Sequence, residues 1–251
     1  MTSETRPIIV GNWKMYKILP EAIDFVEKLA PSVAESQADV KLAVPFTLIR
    51  DLAKKVAGTK FQIGAQNMND ASEGAFTGEV SARMLRDAGA TFVLLGHSER
   101  RQYYKESGAS INKKVKRALS DGLDVILCTG ETFDEHESQQ IEAALEKQLL
   151  ESLEGLSSED FERVTIAYEP IWAVGSGKAA EPADVAQEND AIRAIVAKTW
   201  GKKVGESLKI LYGGSVTASN AKQFLSEKNI NGVLVGSASL NVADFGKIIR
   251  E

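Results

Sequence analysis

Hydrophobic positions along the chain fall into eight short apolar runs, and an amphipathic stretch follows each run. The runs are continuous rather than alternating, which is typical of parallel strands covered on both faces. We predict strands at 8–12, 40–44, 61–65, 92–96, 125–128, 164–169, 208–212 and 232–235. The amphipathic stretches predict helices at about 20–30, 47–57, 79–88, 108–121, 137–154, 184–200, 217–228 and 241–250.

Eight strand–helix units divide the 251 residues into segments of about 31 residues, with no linker or low-complexity segment between them. This repetition predicts an α/β fold, a closed parallel (β/α)8 barrel that occupies residues 1–251 as a single domain. An open doubly wound sheet is the alternative. It is less favoured because no Gly-x-Gly-x-x-Gly turn follows the first strand.

Composition limits which kinds of partner the protein can bind and which cell compartment it fits. Hydrophobic residues make up 43% and charged residues 26% of the chain, which is ordinary for a globular protein. The net charge of −5 favours neither nucleic acid nor a membrane surface, and no apolar run approaches the ~20 residues that span a bilayer. The N-terminus lacks the apolar region of a signal peptide. A single cysteine, Cys128, fits a reducing compartment, so we expect a cytoplasmic protein.

The chemistry must come from side chains at the strand ends. Two histidines and one cysteine make a His/Cys zinc site improbable, and we predict neither a metal nor a cofactor. Functional residues of such barrels lie at the C-terminal ends of the strands. We expect these to converge on one mouth: Asn12, Trp13, Lys14, Gln66, Asn67, His97, Ser98, Glu99, Arg100, Glu131, Glu169, Tyr212, Gly213, Gly214, Ser215, Gly236 and Ser237.

Residues 167–178 combine an acid with a candidate lid. Glu169 ends a predicted strand, and Pro170 holds it in an extended conformation that sets the direction of its carboxylate. Trp172 and the glycine-rich tip 175–177 follow, which predicts a segment that closes over a ligand. An ordinary connection with one buried tryptophan is the alternative.

Two other strand ends carry groups that suit a developing negative charge. Asn12 and Lys14 are two residues apart, so an extended backbone points both side chains the same way. His97 precedes a predicted helix start, whose positive end disfavours a protonated imidazole, so we expect a neutral hydrogen-bond donor. The second histidine, His136, lies in an acidic stretch and is predicted to be a solvated surface residue.

Small residues follow the last two strands. Residues 213–215 and Gly236-Ser237 stand where barrels often bind phosphate through backbone N–H groups. A carboxylate, a neutral imidazole, a lysine and a phosphate cradle suit removal of a proton from a carbon beside a carbonyl. The residues therefore predict aldose–ketose isomerisation of a small phosphorylated sugar.

Five motifs occur in this order: Gly11-Asn12-Trp13-Lys14-Met15, Gly96-His97-Ser98-Glu99-Arg100-Arg101, Ala167-Tyr168-Glu169-Pro170-Ile171-Trp172-Ala173, Tyr212-Gly213-Gly214-Ser215 and Leu234-Val235-Gly236. With them the chain resembles the triosephosphate isomerase family over essentially its whole length. The family is itself a standard example of a carboxylate base beside a neutral histidine. The resemblance implies a metal-independent enzyme of glycolysis and gluconeogenesis that interconverts dihydroxyacetone phosphate and D-glyceraldehyde 3-phosphate.

The resemblance also implies a role for each matching residue. Glu169 is the expected base, and His97 is the neutral electrophile. Lys14 is the electrostatic clamp with Glu99 as its supporting carboxylate, and Asn12 assists at the substrate oxygen. The residues expected to hold the phosphate are Gly175, Ser215, Gly236 and Ser237 through its amide.

The chain departs from the family pattern outside the proton-transfer residues. Ser237 replaces a usual glycine, Ser176 a threonine, Tyr16 an asparagine, Asn231 an aspartate, and Thr129 the valine or isoleucine of the Cys-x-Gly-Glu motif. We expect catalysis to survive these changes, whereas affinity, stability or assembly can differ.

The resemblance further implies a homodimer through loop 67–78, after the third strand. Phe76 is at the expected tip of this loop, and an exposed phenylalanine there is costly unless a partner covers it. The alternative is that Phe76 folds back on its own subunit.

Two other functional hypotheses stay open on the sequence. Another phosphate-binding barrel enzyme, such as one acting on a phosphoribosyl intermediate, would explain residues 212–237 but not Lys14, His97 and Glu169 together. An inactive barrel that serves as a binding or surface-adhesion protein predicts a damaged site, whereas every expected catalytic residue is present.

Overall fold

Eight parallel strands close into a barrel in the computed structural model, which describes residues 6–173 and 180–251. Each strand pairs with its neighbours in sequence order, and the last pairs with the first. The predicted closed (β/α)8 fold is confirmed. The strands are β1 (Ile8–Asn12), β2 (Asp39–Val44), β3 (Gln62–Ala65), β4 (Phe92–Leu95), β5 (Asp124–Thr129), β6 (Val164–Tyr168), β7 (Lys209–Tyr212) and β8 (Gly232–Val235).

Helices cover the outside of the barrel. The described α-helices are α1 (Leu19–Glu35), α2 (Phe46–Lys55), α3 (Ala82–Asp87), α4 (Ser98–Tyr103), α5 (Gly108–Ser120), α6 (Phe133–Glu137), α7 (Ile141–Leu153), α8 (Pro182–Trp200), α9 (Lys202–Ser207), α10 (Ala221–Leu225) and α11 (Val242–Ile249). Short 3-10 helices span Glu159–Arg163, Ile171–Ala173 and Ser237–Leu240. Within residues 6–173 and 180–251, none of the helices combines the length and apolarity that crossing a membrane requires.

The helices predicted at 79–88 and 217–228 are shorter in the structure, and α4 and α9 were not predicted. Two further helices differ more. The single helix predicted at 137–154 is two, α6 and α7, because Gln139 adopts a φ of 55° between them. A capping box between Thr132 and Glu135 begins α6 earlier than its apolar pattern indicates. Helix α1 does not end near residue 30 but continues past a proline to Glu35, since Val33 is buried on the same face as Leu29.

Alternation along the strands sorts the side chains into two cores. The cluster inside the barrel contains Ile8, Val10, Ala43, Phe92, Leu94, Ile126, Cys128, Ala167, Leu211 and Leu234. The intervening strand residues, such as Tyr168, pack against the helices. Successive strand side chains point to opposite faces, so the position two beyond an inward residue points into the mouth. Asn12 and Glu169 occupy such positions, after Val10 and Ala167.

Candidate active site

A cavity of about 740 Å³ opens at the C-terminal ends of the strands. The predicted site residues that line it are Asn12, Lys14, His97, Glu169, Ser215, Gly236 and Ser237. Glu99 is not among the lining residues and lies behind Lys14. Gly175 and the predicted glycine-rich tip lie outside the described residues. Trp13, Gly213 and Gly214 also line the cavity. The prediction that all the polar strand-end residues converge there is wrong for the following residues, which do not line it: Gln66, Asn67, Ser98, Arg100, Glu131 and Tyr212.

Glu169 is buried, with 2% of its surface exposed, yet it lines the cavity. One carboxylate oxygen, Oε2, accepts a hydrogen bond from the backbone N–H of Ser98 at 3.1 Å. The other, Oε1, lies 3.2 Å from Nε2 of His97. The backbone N–H of Glu169 donates to the carbonyl of Thr129 at 2.7 Å. The carboxylate and the imidazole are thus adjacent, and both side chains are buried.

His97 reaches the mouth because the chain turns after β4. Gly96 adopts a φ of 69°, a conformation that glycine takes without strain, and His97 is then the N-cap of α4. Nδ1 of the ring accepts a hydrogen bond from the backbone N–H of Glu99 at 3.2 Å. A ring nitrogen that accepts a hydrogen bond carries no proton, so this contact leaves Nε2, which faces Glu169, as the nitrogen that can donate.

Lys14 adopts a φ of 50°, which is uncommon for a residue with a side chain and is typical of functional sites. Its backbone N–H donates to Oδ1 of Asn12 at 3.0 Å, and its Nζ donates to Oε1 of Glu99 at 2.6 Å. Gln66 donates from Nε2 to the Lys14 carbonyl at 2.8 Å and lies 3.3 Å from Oδ1 of Asn12. Gln66 was expected at the mouth without a role, and the structure shows that it holds the Asn12–Lys14 turn.

Three small residues that follow β7 and β8 line one side of the cavity: Ser215, Gly236 and Ser237. Ser237 begins a 3-10 helix, a backbone that serine adopts readily, so this departure from glycine needs no unusual conformation. A Cβ added at Gly236 would lie 3.7 Å from Cε of Lys14, which places the lysine beside this cradle. An anion bound here would contact these small residues and lie near the ammonium group of Lys14.

A second buried carboxylate lies behind the site. Glu131 accepts hydrogen bonds from the Tyr168 hydroxyl at 3.0 and 3.2 Å, and from Nε1 of Trp172 at 2.8 Å. Burial raises the pKa of the Glu131 carboxyl, and these hydrogen bonds offset part of the rise. Trp172, expected in a lid, is therefore tied to the barrel.

The prediction that His136 is a solvated surface residue holds only in part: 36% of its side chain is exposed, and the rest packs on neighbouring residues. Its ring packs on Trp172 at a tilt of 37° with 4.7 Å between centroids, and its Nδ1 lies 3.7 Å from Oε1 of Glu131. The cause is the early start of α6, whose first turn brings His136 back over the residues that follow β6. The acidic neighbours along the sequence gave no signal of this contact.

Two of the other departures from the family pattern, Asn231 and Thr129, have visible hydrogen-bond partners, and Ser176 lies outside the described residues. Oδ1 of Asn231 accepts from Nη2 of Arg193 and from the backbone N–H of Ile210, each at 2.8 Å, so the amide oxygen fills the place of a carboxylate oxygen. Tyr16 is 58% exposed and lines the rim of the cavity. The hydroxyl of Thr129 donates to Oε1 of Gln148 at 2.9 Å.

The groups available for chemistry are those of acid–base catalysis. Within residues 6–173 and 180–251, no three His, Cys, Asp or Glu side chains form a group that could hold a metal ion. The fold, with a carboxylate, an imidazole and a lysine at the C-terminal mouth, is typical of an enzyme of the (β/α)8 barrel class.

The chain belongs to the triosephosphate isomerase family, whose model matches residues 7–251. It is 46% identical to the triosephosphate isomerase of Protochlamydia amoebophila over 252 residues, which covers 100% of this chain and 96% of the relative. It is 47% identical to that of Citrifermentans bemidjiense over 98% of both chains. The crystal structure of triosephosphate isomerase from Bartonella henselae superposes with a TM-score of 0.87 at 37% identity, over 97% of each chain.

This membership confirms the predicted family and enzyme class, an isomerase that interconverts an aldose and a ketose. It also excludes the hypothesis of a different phosphate-binding barrel family.

Proposed function

We propose that this chain isomerises dihydroxyacetone phosphate and D-glyceraldehyde 3-phosphate with Glu169 as the base and neutral His97 as the electrophile. The observation that carries the proposal is the 3.2 Å separation of Glu169 Oε1 and His97 Nε2 at the wall of one cavity. A base and a hydrogen-bond donor at this spacing can act on a carbon and its neighbouring oxygen at the same time.

The proposed proton transfer begins at the C1 of dihydroxyacetone phosphate. The Glu169 carboxylate takes a proton, the C–H electron pair forms the C1–C2 double bond, and charge develops on the C2 oxygen. The Nε2–H of His97 and the Nζ of Lys14 stabilise this enediolate oxygen. His97 then gives its Nε2 proton to O2 and takes the hydroxyl proton of O1, and Glu169 returns its proton to C2, so C1 becomes the aldehyde carbon and the product is the aldose. Asn12 orients the Lys14 backbone and faces the same oxygen.

The phosphate of the substrate is proposed to lie against Ser215, Gly236 and the Ser237 amide. Two facts support this: these residues form one wall of the cavity, and Gly236 lies beside the Lys14 side chain. Gly175, outside the described residues, is proposed as a further phosphate contact on the resemblance alone.

A coupled assay with dihydroxyacetone phosphate tests the activity. We expect rapid formation of glyceraldehyde 3-phosphate without added metal, and no turnover of a phosphoribosyl substrate. A folded protein that binds inorganic phosphate but turns over neither substrate would support the inactive binding barrel instead.

We propose that the chain assembles as a homodimer through loop 67–78. Phe76 is 52% exposed, and Met15 is 94% exposed beside the Lys14 carbonyl that Gln66 holds at the base of the loop. Lys114 donates to Oδ1 of Asn67 at 2.9 Å and anchors the start of the loop. A second copy that covers these apolar side chains would remove their exposure to water.

Sedimentation of a Phe76→Ala variant tests the assembly. We expect a shift toward monomer at low protein concentration, whereas Phe133→Ala, which removes a 60% exposed ring elsewhere, leaves the wild-type distribution unchanged. A Phe76→Ala variant that sediments like wild type at every concentration would refute the role of the loop. The single domain over 1–251 and the cytoplasmic location stay predictions.

A further inference from the structure

One amide side chain outside the barrel holds both backbone groups of Gly130, the residue after β5. Gln148 lies on α7, and its Nε2 donates to the Gly130 carbonyl at 2.9 Å. Its Oε1 accepts from the Gly130 N–H at 3.2 Å and from the Thr129 hydroxyl at 2.9 Å. Two donors converge on Oε1, so the amide has only one orientation that satisfies all three groups.

The segment that Gln148 holds is hydrogen-bonded to the backbone of Glu169, the proposed base. The Thr129 carbonyl accepts the backbone N–H of Glu169 at 2.7 Å, and the Glu131 carbonyl accepts that of Ile171 at 3.2 Å. Gly130 lies so close to Glu169 that an added Cβ would overlap the Glu169 carbonyl oxygen. Any movement of the Gly130 peptide is therefore transmitted directly to the Glu169 backbone.

Gln148 is half-buried and is not among the described residues that line the cavity. It cannot contact a substrate that occupies the mouth, so an effect on turnover must pass through Gly130. The alternation along β5 explains the arrangement: Cys128 points into the barrel, and Thr129 points outward to α7. The hydroxyl at 129, where the family usually has an apolar residue, thus gains a partner on the helix.

We propose that Gln148 is a positioning residue for the isomerisation, which acts through the Gly130 peptide to hold Glu169 at the distance that proton transfer requires. The inference rests on the proposed function, in which Glu169 is the base. A misplacement of about 1 Å in a catalytic group can cost on the order of 10²-fold in rate. Loss of the amide therefore lowers kcat and leaves the binding of the phosphate nearly unchanged.

The test compares Gln148→Leu with wild type and with Thr129→Val. We expect kcat of Gln148→Leu to fall about 10- to 100-fold with KM within about threefold. Inhibition by inorganic phosphate, which probes the opposite wall of the cavity, should be unchanged. Thr129→Val removes only the hydroxyl and keeps the Gly130 clamp, so its kcat should stay within about threefold of wild type.

A double mutant separates positioning from general loss of structure. If Gln148 acts through Glu169, adding Gln148→Leu to Glu169→Gln lowers turnover by less than about threefold, because the base is already absent. Full additivity of the two losses would overturn the inference. So would a folded Gln148→Leu variant with wild-type kcat, or one whose loss lies entirely in KM.

Two controls keep these outcomes distinct. Thermal unfolding reports whether the variants are folded, and Gln148→Met, which keeps a linear side chain without hydrogen bonds, replaces Gln148→Leu if that variant does not fold. A wild-type chain that fails to isomerise dihydroxyacetone phosphate would refute the proposed function. An active wild type with an unaffected Gln148→Leu variant would refute only the role of Gln148.

Discussion

Glu131 and Glu169 follow neighbouring strands and are equally buried, with 0% and 2% of their surfaces exposed. Their surroundings differ. Glu131 has both carboxylate oxygens occupied by the hydroxyl of Tyr168 and the indole N–H of Trp172. Oε2 of Glu169 accepts a hydrogen bond from the Ser98 N–H, and Oε1 faces Nε2 of His97 at the cavity wall. Burial therefore does not identify the base, whereas the direction of the carboxylate does.

Alternation along the strands explains the difference. Glu169 stands two residues after Ala167, which points into the barrel, and so it enters the mouth. Glu131 stands two residues after Thr129, which points to the helices, and it meets Tyr168 on the same outer side. A shift of one residue in either connection would turn the carboxylate of that connection to the opposite face.

The largest effect is expected from Glu169→Gln. The amide fills the same space but cannot take a proton from carbon, so kcat should fall by about 10²- to 10⁴-fold. Phosphate inhibition and the fold should be retained. The coupled assay measures this change, and a loss of less than threefold would mean that another group is the base.

Glu131→Gln should have a smaller effect on turnover. The amide oxygen can still accept from Trp172, but the amide group cannot accept on both sides, so the contacts behind Glu169 loosen. We expect kcat to fall about 10-fold, by misplacement of the base rather than its loss. The measurement is the same assay beside Glu169→Gln. Equal losses of kcat in the two variants would contradict the assignment of Glu169, and not Glu131, as the base.

The smallest effect concerns stability and pH, with Glu106 as the matched control. Burial by itself would raise the pKa of the Glu106 carboxyl, but hydrogen bonds from Lys114 and Arg100 outweigh it and lower the pKa. The stability that Glu106 contributes is present above the ordinary glutamate pKa, about 4.3, and is lost as pH falls through the folded value. The raised pKa of Glu131 has the opposite consequence: its contribution is complete below about 4.3 and is lost as pH rises through the folded value.

Denaturant unfolding at several pH values and fixed protein concentration measures both slopes. The free energy of unfolding of wild type minus that of Glu131→Gln should decrease as pH rises above about 4.3. The corresponding difference for Glu106→Gln should decrease as pH falls below it. If both differences changed with pH in the same direction, the neutral donors around Glu131 and the cations around Glu106 would have the same effect on the carboxylate pKa.

Much of this molecule follows from local patterns. Continuous apolar runs predicted all eight strands within two residues, and glycines such as Gly89, whose φ is 97°, ended helices where the pattern indicated. The polar residues at the strand ends could be named as site residues because parallel strands bring those ends to one face. Helix boundaries were less accurate where a cap or a positive φ decided them, as at Thr132 and Gln139.

The sequence by itself determined the barrel, the family and the identity of the groups at its mouth, because periodicity and motif order are properties of neighbouring positions. Only the tertiary structure decided that Glu131 faces away from the cavity, that His136 packs on Trp172, and that Gln148 holds Gly130. These contacts join residues 18 to 71 positions apart or lie on separate elements. The packing of helices against strands sets such distances, and no local pattern along the chain encodes them.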